Sequence, residues 1–169
     1  TNAGVDYVST FRKLTVFEKP GQRVIAMSSA GNLATSQAVT SLVSERLGAR
    51  TGTDTIFGAK TMFEVAQVIG RTLRQVIDES GESVRDGGGD ANATILLGGQ
   101  IKGRSPRLFL IYPAGNFIEA TEETSFLQIG ENKFGKPILD RTIRHDMPVD
   151  RAVTAALVSF DSTMRSNLS

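Results

Sequence analysis

The sequence predicts an α+β fold built around antiparallel strands, and three observations carry that prediction. Two short alternating segments are joined by a tight turn near the start. Two stretches with apolar residues at three- and four-residue steps follow them, and a β-rich block and two further helical stretches complete the chain. The order is strands, two helices, strands, two helices. A parallel sheet would alternate strand with helix instead.

The first segment, Phe11 to Glu18, reads as a strand; Lys19-Pro20-Gly21-Gln22 supplies the turn, and Arg23 to Asn32 returns as a second strand ending in a glycine corner. A helix is predicted from Asn32 to Leu47, with Asn32 as its N-cap and Gly48 as its stop, because Leu33, Leu42, Val43 and Leu47 fall near one face. Met62, Val65, Ile69, Leu73 and Val76 mark a second helix over Thr61 to Asp78, which Ser80-Gly81 is expected to end. The two helices in series are expected to cover one sheet face. Asp86-Gly87-Gly88-Gly89-Asp90 reads as a flexible loop before strands at Thr94 to Lys102, Arg107 to Tyr112 and Phe117 to Ala120. Two last helices are expected over Phe134 to Arg144 and Val149 to Arg165, the latter burying Val153, Leu157, Phe160 and Met164.

Composition narrows the class of function. With 169 residues and 40% hydrophobic content the chain can build one sizeable core, and no Pro/Ser-rich linker divides it, so residues 1–169 are expected to form one domain. The net charge is +1 with basic residues scattered, which gives no nucleic-acid footprint and no attraction to a membrane surface. Apolar runs such as 91–97 fall far short of a bilayer span. No secretory leader opens the chain, and the absence of cysteine removes any disulfide framework; together these suit a cytoplasmic protein. His145 is the single histidine, with no cysteine beside it, so no metal site is expected. The three glycines at 87–89 lack the Gly-Lys-Ser/Thr ending of a phosphate loop.

The chemistry-bearing feature is the opening hairpin. Lys13 heads the first strand and Gly31 closes the second, so antiparallel pairing brings a cation and a backbone N–H to the same end. A nucleophile placed there would find a charge to favour its deprotonated form and a donor for a developing oxyanion. The bland alternatives are an edge lysine and an ordinary strand-to-helix corner.

These residues also carry a family resemblance. The run Thr1-Asn2-Ala3-Gly4-Val5-Asp6, the strand with Lys13, the corner Ser28-Ser29-Ala30-Gly31-Asn32, and Asp146-Met147-Pro148-Val149-Asp150-Arg151-Ala152-Val153 resemble proteasome-type β-subunits, above all the bacterial ancestral β-subunit group called Anbu. The resemblance covers nearly the whole chain. It implies a four-layer αββα sandwich of the N-terminal-nucleophile hydrolase class, a threonine peptidase that needs no cofactor, and homo-oligomers arranged as rings or open spirals. Peptides or unfolded proteins would be substrates; an ATPase partner stays open.

By the same resemblance Lys13 is the catalytic lysine, Gly31 supplies the oxyanion-hole N–H, and Ser169 supports the nucleophile. The family's nucleophilic threonine stands about twenty residues before the turn that Thr1 to Asp6 resembles. Thr1 is therefore expected to be an interior residue, with the nucleophile upstream and with strands before and after the 169 residues. Two positions depart from the pattern. Ser166 stands where an aspartate is usual, and Gly130-Glu131-Asn132 stands for a Gly-Ser-Gly run, so the supporting network is altered and Glu131 either pairs with Lys13 or faces solvent. The rival expectation is a proteasome-fold assembly subunit whose site is weak or idle.

Overall fold

A computed structural model describes residues 12–48 and 54–167. Its secondary structure is α+β, in the order β1 Leu14–Lys19, β2 Arg23–Gly31, α1 Leu33–Gly48, α2 Met62–Asp86, β3 Ala93–Ile101, β4 Arg107–Ile111, β5 Phe117–Glu119, α3 Lys136–Thr142 and α4 Val149–Asn167. The chain divides into two compact units, Thr1–Glu119 and Ala120–Ser169.

In the first unit the five strands form one antiparallel sheet in sequence order. Period-two alternation decides its faces. Phe17, Ile25, Met27, Ile95, Leu97, Phe109 and Ile111 point to one side and join Val39 and Val43 of α1 and Met62, Val65, Ile69 and Leu73 of α2 in a single buried cluster. Each fully buried Ile, Leu or Phe in it contributes about 1.5–3 kcal/mol. The two helices in series thus cover one sheet face, as expected. The opposite face keeps Leu14, Val16, Val24 and Ile118 exposed. A second layer of sheet, the inner partner of a four-layer sandwich, is not among the described residues.

Local chemistry fixes the helix ends. Asn32 caps α1 by accepting the Thr35 N–H at 3.0 Å, and its own side-chain amide donates to the Asp90 carbonyl at 2.8 Å. The buried stripe of α1 differs from the expected one: Thr35, Ser36, Val39 and Val43 are buried, whereas Leu42 and Leu47 pack against the core from its margin. Two hydroxyls can be buried because each has a carbonyl acceptor, Thr35 on Ala91 and Ser36 on Asn32, both at 2.8 Å. Thr61 caps α2 by accepting the Glu64 N–H, and the Glu64 carboxylate reaches back to the Lys60 N–H.

Ser80-Gly81 does not end α2, which runs on to Asp86. The Ser80 hydroxyl turns back onto the Val76 carbonyl, and Gly81 lies on the buried side, so neither breaks the ladder. The stop comes from the glycines at 87–89. Their N–H groups bond the Ser83, Arg85 and Val84 carbonyls, with Gly88 at φ +77°, so the expected flexible loop is an ordered C-terminal cap.

In the second unit α4 overturns its sequence reading. Val153, Leu157, Phe160 and Met164 are 51–66% exposed, and Met164 is not a core residue. The buried positions are Ala155 and Ser159, on the small-residue face. Gly135, at the start of α3, lies against that face: a Cβ there would meet the Ser159 hydroxyl at 2.4 Å. Periodicity found the apolar stripe, but the close approach of α3 selected the face with the least bulk.

Candidate active site

The hairpin register places the site. Leu14 pairs with Ser28, and Lys13 is the residue just before β1, so it stands at the sheet end where β2 closes with Gly31. Asn32 donates its N–H to the Asn92 carbonyl at 2.9 Å, and Gly31 pairs with Ala93. Hydrogen-bonding direction alternates along a strand, so the Gly31 N–H is directed away from β3, toward the side on which β1 and Lys13 lie.

Gly31 is also irreplaceable on backbone grounds. Its φ is +107°, and a Cβ would stand 2.4 Å from the Asn92 carbonyl oxygen. Here the corner between β2 and α1 is fixed by contact with the strand beside it.

Beneath Lys13 lies a small recess between β1, β2 and α1. Arg12, Lys13, Thr15, Ser28 and Ser29 line its sheet side, Ser36 and Thr40 its helix side, with Met27 and Ile95 as apolar floor. It has about 10 Å³ of room, roughly that of one water molecule. Thr15, Ser36 and Thr40 were not singled out in the sequence, although two rules locate them. Alternation puts Thr15 on the face of Lys13, and a four-residue step puts Ser36 and Thr40 on one side of α1.

The remaining candidates lie elsewhere. Ser169 and Thr1 are outside the described residues. Ser166, in the second unit, donates its hydroxyl to the Ser162 carbonyl at 2.8 Å. Exposed Glu131, also there, accepts the Lys133 N–H at 2.7 Å, while its carbonyl accepts from the Gln128 side-chain amide. The carboxylate therefore has a local partner in its own turn. His145 is exposed, 3.9 Å from Glu122, and no group of residues among those described could hold a metal ion. No described helix is long and apolar enough to cross a membrane.

One ion pair was missed in the sequence. Arg107 and Glu119, on neighbouring strands β4 and β5, pair through two nitrogens and both carboxylate oxygens. The hydrogen bond from Arg107 lowers the Glu119 carboxyl below its ordinary value against the opposing effect of partial burial, and it raises Arg107 in return. The pair ties β5 to the sheet and is not part of the site.

No family model and no curated protein matches the chain. Solved structures do. An Anbu (ancestral beta-subunit) from Yersinia bercovieri is 52% identical, with a TM-score of 0.88 over 99% of this chain and 69% of that one. Anbu from Hyphomicrobium sp. strain MC1 is 50% identical, with a TM-score of 0.86 over 99% and 69%. The helical assembly of the Anbu complex from Pseudomonas aeruginosa is 45% identical, with a TM-score of 0.90 over 99% and 68%. Sheet, glycine corner and these likenesses define a proteasome-type β-subunit. The chain belongs to the Anbu family.

Proposed function

We propose that this chain is part of a proteasome-like threonine peptidase subunit that acts within a homo-oligomeric particle. The observation that supports it most is the β1–β2 register, which pairs Leu14 with Ser28 and so brings Lys13, the residue before β1, to the sheet end that carries Gly31. In this reading both units belong to one N-terminal-nucleophile domain of four layers. The nucleophile is a threonine from outside the described residues. Its hydroxyl oxygen attacks a peptide carbonyl carbon, and the Lys13 ammonium favours the deprotonated oxygen. The Gly31 N–H donates to the carbonyl oxygen as it becomes an oxyanion; the amine leaves with a proton, and water hydrolyses the resulting ester. Ser169 and Ser166 support the nucleophile, and Glu131 stays a turn residue. No cofactor enters, the compartment is the cytoplasm, and the substrates are peptides or unfolded chains. The self-association follows the helical assembly of the Pseudomonas aeruginosa relative.

A scaffold reading is favoured by Ser166 and Glu131, which stand where the family pattern has an aspartate and a small hydroxyl. Peptide turnover by the full subunit, measured beside its particle size, separates the two. Turnover that is lost in Lys13→Ala with the particle intact supports the peptidase. A stable particle that cleaves no peptide leaves the scaffold.

A further inference from the structure

We infer that Asn32 and Thr35 are positioning residues for the Gly31 N–H: through them the first turn of α1 grips the three residues before β3, and that grip sets the angle of the glycine corner. The inference rests on the peptidase reading for what the N–H does, and on hydrogen bonds alone for what holds it.

Asn32 is half-buried, yet each of its polar atoms is engaged. Its N–H donates to the Asn92 carbonyl at 2.9 Å, and its carbonyl accepts the Ser36 N–H at 3.1 Å and hydroxyl at 2.8 Å. Its side-chain oxygen accepts the Thr35 N–H at 3.0 Å, while its amide donates to the Asp90 carbonyl at 2.8 Å. Buried Thr35 adds its hydroxyl, which donates to the Ala91 carbonyl at 2.8 Å. Three consecutive carbonyls, those of Asp90, Ala91 and Asn92, are thus held by two residues that follow Gly31. The Asp90 carboxylate accepts the Asn92 N–H at 2.9 Å and keeps this segment in its turn.

Helix capping alone does not account for the arrangement. A serine or an aspartate caps a helix as well as an asparagine does. An aspartate, however, has no donor for the Asp90 carbonyl, and a serine hydroxyl falls short of it. What the grip fixes is Gly31, which lies against the Asn92 carbonyl, 2.4 Å from where a Cβ would stand. Glycine has the widest choice of φ, so its value of +107° is held only while the strand beside it stays close. Rotation there swings the N–H off its line to a developing oxyanion.

The experiment uses the full, assembled subunit with Asn32→Ser, Thr35→Val and Thr35→Ser. The first keeps the cap and loses the reach to Asp90; the second keeps the shape and loses the hydroxyl. Each of these two should lower kcat for a peptide substrate about tenfold, less than the roughly hundredfold of losing an oxyanion donor outright, with KM within about twofold. Thr35→Ser keeps the hydroxyl and should return most of the turnover that Thr35→Val loses. Hydrogen–deuterium exchange at the Asn32 N–H reads its bond to Asn92 without any catalysis, and it should quicken severalfold in Asn32→Ser and Thr35→Val. A raised KM at unchanged kcat, or an unchanged kcat in Asn32→Ser despite faster exchange, overturns the inference. Unchanged exchange in both variants overturns it as well. If the parent cleaves no peptide, the peptidase reading fails by itself: faster exchange then upholds the grip on the corner, and unchanged exchange overturns it.

Discussion

Lys13 and Gly31 can be tested separately because they act through different physics. Lys13 is exposed just before β1, so its removal leaves the core untouched. Lys13→Ala should therefore cost the full subunit on the order of a hundredfold or more in peptide turnover, with thermal stability within about half a kcal/mol of the parent. Lys102→Ala, an exposed lysine in the turn after β3, is the control and should leave turnover unchanged. Equal losses in the two variants would remove Lys13 from the reaction. Gly31→Ala should instead unfold the corner: a positive φ and a backbone oxygen 2.4 Å from the new carbon together cost about 2 kcal/mol or more, read as a lower urea midpoint. Glu119 adds a pH signature. Its folded carboxyl titrates below the unfolded one, so its stabilisation is present above the ordinary carboxylate value and is lost as pH falls through the folded value. The pair is about one-third exposed, so the effect stays near 1 kcal/mol or less. Glu119→Gln should thus lower the urea midpoint at pH 7, and the gap to the parent should close in acid below the ordinary carboxylate range. A gap that stays constant down to pH 2 would show that the carboxylate charge is not what matters.

At the scale of elements, α2 shows what a sequence can and cannot specify. Its start was legible in Thr61, whose hydroxyl caps the first turn, and its face was legible in Met62, Val65, Ile69 and Leu73, which are all buried. Its end was not, because Ser80-Gly81 is a stop signal only when the chain can turn there. In the fold Gly81 faces inward, and the next three glycines close the helix further on by bonding the Ser83, Arg85 and Val84 carbonyls. Gly81→Ala is consequently expected to stabilise the protein by about 0.5–1 kcal/mol, the helix preference of alanine over glycine. The new methyl would meet the mobile end of Arg85 at 3.3 Å and Ile77 at 3.6 Å, contacts that can relax. A lower melting temperature for this variant would mean that residue 81 is not helical. The candidate site was legible for a related reason: a hairpin turn at Lys19 to Gln22 fixes the register, and register brings the start of β1, next to Lys13, to the end of β2 that carries Gly31. The recess was harder to see, because it needs Thr15 from a strand and Ser36 and Thr40 from a helix, whose separation in space no spacing rule reports.

For the whole molecule, the reading that failed most is the most consequential physically. A stripe of Val153, Leu157, Phe160 and Met164 at four-, three- and four-residue steps looked like a core face, yet all four are at least half exposed, with Val149 and Val158 beside them. The outer row of the sheet adds Leu14, Val16, Val24 and Ile118. Single exposed apolar residues are ordinary, but a row of large ones along 19 residues of helix is an apolar surface in contact with water. A polypeptide of these 169 residues alone should therefore bind an environment-sensitive apolar dye strongly and associate as its concentration rises. The double variant Leu157→Ser, Phe160→Ser should reduce both severalfold without lowering helix content, since neither side chain supports the Gly135–Ser159 approach that holds α3 to α4. Circular dichroism checks the helix, and dye titration with sedimentation checks the surface. Unchanged dye binding in the double variant would show that the stripe is covered in solution, and that the small-residue face is not the side of α4 by which this unit holds together.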